Sequence, residues 1–235
     1  MKATGRTFFR YSLALFFLFL FHGCSGPLFD ARQTQGTITY KLSFPYNEGE
    51  LLVELFPQQM AVEFWNSKTR SVLKSLGDVV RSEVLTDNTK HKFRQFLKSY
   101  ENKFVLSLDE EGVEQMLETM PKFRIENTSE FDTIAGYRCN KSVAYFLNDS
   151  VPPITLYHTK EILIEDPNWW NQFNEIQEVL LGYEIEQYGM RMKLIATDVN
   201  FKEIDKSLFN SPAPGQSVTF DEMSQQLQRL MLQFK

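Results

Sequence analysis

Gly36-Thr37-Ile38-Thr39-Tyr40-Lys41-Leu42-Ser43-Phe44 alternates without a break. Successive side chains of an extended chain point to opposite sides, so Ile38, Tyr40, Leu42 and Phe44 share one face while Thr37, Thr39, Lys41 and Ser43 share the other. A strand with one apolar and one polar face belongs in an antiparallel sheet that covers a core on one side and meets water on the other. The same period of two recurs in Met60/Val62/Phe64, Phe104/Leu106/Leu108, Leu181/Tyr183/Ile185 and Met190/Met192/Leu194/Ala196. Further strands are predicted over 50–56, 69–75, 78–86, 91–98, 122–132, 137–147 and 154–164, with turns at Asn47-Glu48-Gly49 and Tyr188-Gly189. Short consecutive strands imply a meander, hence a mainly antiparallel β domain.

Helical spacing interrupts this pattern. Over 220–234, Phe220, Met223, Leu227, Leu230, Met231 and Phe234 form one apolar stripe, and Thr219 with Glu222 makes a capping box at its start. The opposite face is rich in Gln, so the stripe is expected to pack on the sheet. Residues 110–118 predict a short helix, and 167–178 a third. Asp109 to Glu111 and Asp166 would then lie where a helix dipole favours negative charge.

The first residues differ from all of this. Lys2, Arg6 and Arg10 precede an apolar run from Leu13 to Phe21, the layout of a secretory signal. His22, Gly23, Cys24, Ser25, Gly26 and Pro27 stop the run short of the roughly 20 apolar residues that a membrane span requires. Phe21-His22-Gly23-Cys24 resembles a bacterial lipobox, where cleavage precedes a lipid-bearing cysteine. The resemblance implies a signal over 1–23, a lipidated Cys24 with a tether over 24–35, and a single domain over 36–235. Ser25 after the cysteine is similar to Gram-negative lipoproteins sorted to the outer membrane. Gly26 to Gln35 holds only the acid Asp30, which does not resemble a surface-export signal, so the periplasmic side is expected. The alternative is an ordinary signal cut a few residues later, leaving a soluble protein.

The whole chain has a net charge of −5. Removing 1–23 takes away three basic residues and no acids, leaving 22 Lys and Arg against 30 Asp and Glu and a net charge of −8. That balance argues against nucleic acid and against electrostatic docking on anionic lipid, and leaves attachment to the acyl chains. The two cysteines are Cys24 and Cys139. A lipid on the first leaves the second without a disulfide partner, and Cys139 reads as a small buried hydrophobe.

Catalytic signatures are absent. His91 and His158 are the histidines beyond the signal, and neither has a second His, a Cys or a carboxylate at a recognised metal spacing. His158 and Glu161 would point to opposite faces of a strand. There is no Gly-x-Ser-x-Gly elbow, no phosphate-cradling loop and no dinucleotide glycine pattern. Pairs such as Glu110/Glu111 and Glu165/Asp166 are expected by chance among 30 acids. No cofactor and no enzyme activity are expected. Asn127, Asn140 and Asn148 match glycosylation acceptors, which carry no meaning in a bacterial lipoprotein.

Thr133-Ile134-Ala135-Gly136-Tyr137-Arg138-Cys139 resembles a recurring segment of a family of bacterial exported proteins of unknown function, in which it joins two antiparallel strands. Gly36-Thr37-Ile38-Thr39-Tyr40, Tyr157-His158-Thr159-Lys160-Glu161-Ile162 and Leu208-Phe209-Asn210-Ser211-Pro212 agree in order, with Tyr157 standing where the family pattern has Trp. That family is similar in structure to the LolA/LolB lipoprotein carriers. The resemblance implies a curved, unclosed β-barrel-like sheet with a C-terminal helix and one or two short helices, enclosing an apolar hollow of the kind that binds lipophilic ligands. Trp169, Trp170 and Phe173 are the candidate ligand-binding residues, as a rim over that hollow; the competing reading is that they plug the core. The expected function is a membrane-tethered module holding a lipophilic molecule. The alternative is a structural or protein-interaction lipoprotein whose sheet is filled and takes no ligand.

Overall fold

The computed structural model describes residues 34–46, 55–147, 151–187, 190–210 and 214–233. All of them fall within the compact unit Arg32–Lys235. Cys24, the 1–23 segment, the tether up to residue 33 and the predicted turns at 47–49 and 188–189 lie outside the described residues, as does Asn148.

The alternating stretch becomes β1 (Gln35–Ser43), with Ile38, Tyr40 and Leu42 at most 3% exposed. After it come β2 (Gln59–Trp65), β3 (Lys68–Ser75), β4 (Val80–Asp87), β5 (Lys92–Ser99) and β6 (Asn102–Leu108), each beside its predecessor. A second meander follows: β7 (Phe123–Ile134), β8 (Tyr137–Phe146), β9 (Ile154–Thr159), β10 (Val179–Gln187) and β11 (Met190–Asn200). β11 pairs back onto β1, merging both meanders into one twelve-stranded sheet. The twelfth strand, β12 (Gln216–Ser217), adds to β6 as the one parallel neighbour. β12 and β7 are the two edges of the sheet, so it is unclosed. Side chains from β2 to β5 and from β10 and β11 converge on one enclosed space, which requires a curved sheet.

Local chemistry accounts for the joins. Ile134 pairs with Tyr137 across Ala135-Gly136, at φ of 50° and 86°. Two central residues with positive φ make the type I′ turn, whose twist suits a hairpin. This is the strand-joining role expected of residues 133–139. Gly182 lies where a Cβ would meet Tyr157 Cδ2 at 2.9 Å and Ile195 Cδ1 at 3.1 Å, so a larger side chain would force β9 and β11 away from β10.

Two helices cover the concave side. In α1 (Glu110–Glu118), the Asp109 carboxylate accepts from Gly112 N at 3.2 Å, and Val113 and Met116 are buried. α2 (Phe220–Gln233) starts at the predicted capping box: Glu222 Oε2 accepts from Thr219 N at 2.8 Å, and Thr219 Oγ1 accepts from Glu222 N at 3.3 Å. Met223 and Leu230 of α2 join Phe93, Leu97, Leu106, Val113 and Met116 in one core cluster. Each such side chain contributes about 1.5–3 kcal/mol by leaving water.

Three expectations are corrected. No helix forms over 167–178; the segment is a series of turns. Asn168 is the reason: its side-chain amide donates to Ile176 O at 2.6 Å and Glu178 O at 2.9 Å, while Asn171 Oδ1 accepts from Phe173 N at 2.8 Å. Asparagine side chains here take over the backbone groups that a helix would have paired. Asp166 therefore heads no helix; it has φ of 41° and lies 3.6 Å from His91 Nε2. The strand expected over 154–164 ends at Thr159, and residues 160–164 are bends and irregular chain that bury Ile162 and Ile164. Residues 50–54 of the strand expected over 50–56 lie outside the described residues, so that expectation is not among the corrections; 55 and 56 are not extended.

Candidate ligand-binding hollow

Inward positions of the curved sheet carry Met60 of β2, Leu73 of β3, Leu97 of β5, Tyr183 of β10 and Leu194 of β11. α2 lies across them and contributes Met223, Leu227 and Leu230 as a roof. The two surfaces do not meet completely. Between them remains a hollow of about 250 Å³, bounded at the side by Met116 and Trp170. It opens towards a second recess of about 410 Å³ that shares Met120, Trp170, Tyr183, Ile185, Phe220 and Ser224 with it and ends at Asn171, Gln172 and Phe173. An engineered apolar cavity of roughly 150 Å³ is enough to hold benzene, so the inner space alone has ligand size.

The lining is apolar with a few neutral polar groups. Ser71, Ser75, Ser82, Gln95 and Ser224 reach it, but among the described residues no Asp, Glu, Lys, Arg or His does. Ser75 Oγ is already committed to Leu55 O. Tyr183 contributes a ring whose hydroxyl proton is held tightly, because burial drives its pKa well above the ordinary value. Neighbouring Tyr40 is likewise raised, chiefly by burial, and donates to Leu180 O at 2.7 Å. The two rings meet edge to face at 6.0 Å, the favoured arrangement for aromatic pairs.

The three candidate residues separate. Trp169 is 8% exposed, stacks on His91 at 4.7 Å, and donates from Nε1 to Asn88 Oδ1 at 3.1 Å. It belongs to the core. Phe173, 1% exposed, packs on Phe123 at 5.4 Å and edges Tyr183 at 6.3 Å, closing the far end of the outer recess. Trp170 alone borders both spaces, packing on Phe93 at 5.5 Å. Its Nε1 is buried without an acceptor among the described residues, and so is Nε2 of Gln172.

A polar array lies apart from the hollow, on β8 and β9. His158 Nε2 lies 2.8 Å from Ser142 Oγ, and His158 Nδ1 contacts Glu178. Lys160 Nζ reaches the other Glu178 oxygen at 3.3 Å. Burial pushes the Glu178 carboxyl up, but the hydrogen bonds and charges of His158 and Lys160 outweigh it and hold the pKa below its usual value. A Ser-His-Glu series of this kind resembles a catalytic triad in composition. Two features set it apart: Ser142 is 0% exposed, and its hydroxyl donates to Asn127 Oδ1 at 2.8 Å. A triad base must accept the serine proton, whereas here the hydroxyl is directed at Asn127 Oδ1. The array ties β7, β8 and β9 to the segment preceding β10. One sequence signal pointed to it: Ser142 and His158 occupy inward positions among Ala144, Ile154 and Leu156, and an inward polar residue on a strand demands a partner.

Cys139 is fully buried, and burial, the leading cause, pushes its thiol up to about 11. Among the described residues, no group of three or more His, Cys, Asp or Glu side chains is arranged to hold a metal, and no helix is long and apolar enough to cross a membrane.

No protein-family model matches the chain, and no curated protein matches it. Among solved structures, PNGF-II in two crystal forms is similar at 19% and 18% identity, with TM-scores of 0.50 and 0.52, over 81% of this chain. The chain spans about one third of the length of PNGF-II (33% and 32%), and at this identity the likeness is one of fold. The MucA/MucB complex of Pseudomonas aeruginosa matches at 13% identity and a TM-score of 0.39, over 80% of this chain and 59% of that one. A β-barrel-like protein of domain family DUF1849 from Brucella abortus matches at 9% and 0.35, over 73% and 99%. Those two scores are too low to carry an argument.

Proposed function

We propose that this chain is an envelope lipoprotein, tethered through Cys24 to the periplasm-facing side of the outer membrane, whose curved sheet holds a lipophilic molecule beneath α2. The observation that carries the reading is the hollow of about 250 Å³ lined mainly by apolar side chains, with no charged residue among the described ones. A concave apolar space with a few fixed polar groups is the general form of a small-molecule site. The signal-like N-terminus and the lipobox-like Phe21-His22-Gly23-Cys24 support the tether, and Trp170 and Gln172 are the residues assigned to the mouth. The Ser142–His158–Glu178 array is read as structural and the protein as non-enzymatic. Metabolic palmitate labelling of wild type and Cys24→Ser tests the tether: label and membrane association should vanish together in the variant, and an unlabelled, soluble wild type would overturn it. Solvent extraction of purified protein followed by mass spectrometry tests the cargo. A reproducible lipophile in near-stoichiometric amount is expected, and its absence would contradict the reading.

One observation favours a partner-binding reading instead. Tyr46, Leu55, Leu76, Val79, Tyr100 and Leu147 are all exposed, at 36–58%. The strand registers place every one of them at the same end of the sheet, where β1, β3, β5 and β8 finish. Exposed apolar surface at one end of a sheet is a candidate interaction site. Changing Val79 and Tyr100 together to Ser should leave ligand content unchanged and abolish any cross-link to an envelope protein; a cross-link that survives would sink this second reading.

A further inference from the structure

We infer that the molecule taken into the hollow is uncharged, an ester, amide, alcohol or hydrocarbon, and that anionic amphiphiles such as fatty acids are rejected. The inference rests on the ligand-holding reading above and specifies its substrate class. Two observations carry it.

First, among the described residues the inner space has no Lys, Arg or His in its lining, and the outer recess has none either, its charged lining residue being the acid Glu186. A carboxylate, phosphate or sulfonate drawn into the site would lose its hydration and find no cation. Burying such an unpaired charge costs several kcal/mol, and the usual remedy is a basic partner. Second, the polar groups that are present are neutral. Ser82 and Gln95 reach the inner space, and Tyr183 keeps its proton. These groups hydrogen-bond a carbonyl or hydroxyl oxygen well but do not neutralise an anion. The chain's net charge of −5 adds long-range disfavour for anions.

Two fluorescent probes of the same aromatic skeleton separate charge from shape: N-phenyl-1-naphthylamine is neutral, and 8-anilino-1-naphthalenesulfonate carries a sulfonate. Both are titrated into full-length protein freed of bound lipid at neutral pH, with Ser82→Phe, which fills the hollow, as the control for site. The neutral probe should bind at least about tenfold more tightly than the sulfonate, since each tenfold corresponds to only 1.4 kcal/mol, and Ser82→Phe should abolish its binding. Thr119→Lys places a cation at the exposed mouth of the recess and should narrow the ratio at least about threefold, the direction expected if missing positive charge causes the discrimination. Equal or tighter sulfonate binding that competes with the neutral probe would overturn the charge selectivity while leaving the hollow as a binding site. Failure of both probes to bind would overturn the ligand-holding reading, and this inference with it.

Discussion

Glu178→Gln should destabilise the fold by about 2 kcal/mol at pH 7 and by progressively less as the pH falls below the ordinary carboxylate range. Removing one partner of a buried charged pair costs about 3–5 kcal/mol when the other is stranded. Gln keeps an acceptor for His158 Nδ1, so the loss is closer to the roughly 1.5–3 kcal/mol of one charge-assisted hydrogen bond. The Lys160 side chain is 78% exposed, so its ion pair with Glu178 adds less than about 1 kcal/mol. The sign with pH follows from the carboxyl being held below its ordinary value. A group whose pKa falls on folding contributes stability above the unfolded pKa of about 4.3, and that contribution is lost as pH drops through the folded value. Urea unfolding of wild type and variant at pH 7, 5 and 3, followed by tryptophan fluorescence, measures the difference. An equal loss at pH 3 and pH 7 would refute the charge-based account and make the site one of shape alone.

Other expectations follow from single contacts. Met223, 1% exposed, anchors α2 over the sheet, so Met223→Ala should cost about 2–5 kcal/mol in the same assay. Thr219→Ala removes one half of the capping box and should cost about 1 kcal/mol, read as a lower midpoint with an unchanged denaturant slope. Cys139, buried with its thiol pushed up to about 11, should resist iodoacetamide at pH 8 in the native protein and react fully in urea.

The sheet was legible because its determinants are local. Alternation in 36–44 set β1, the family resemblance of residues 133–139 pointed to the β7–β8 hairpin, and Thr219 with Glu222 set the start of α2. Where reading failed, contacts between residues distant in sequence decided the outcome. Pro167 and the aromatic run after it look like a helix start, yet Asn168 reaches eight and ten residues ahead to Ile176 and Glu178 and fixes turns instead. Trp169 and Trp170 are adjacent in sequence and indistinguishable by composition, but one stacks on His91 and the other borders the hollow; that division depends on where β4, β5 and α2 meet. Ser142, His158 and Glu178 are 16 and 20 residues apart in sequence, beyond any motif spacing, and only inward polar placement hinted at them. The hollow is a mismatch between the α2 stripe and the sheet beneath it, which neither sequence pattern contains alone.

The central claim, that the sheet holds a lipophilic molecule beneath α2, is tested most directly by native mass spectrometry of protein gently extracted from membranes, with wild type and the hollow-filling Ser82→Phe measured side by side. The account predicts a discrete bound mass on the wild type that is missing from a variant of equal thermal stability. Bare protein in both samples, or the same adduct in both, would contradict it.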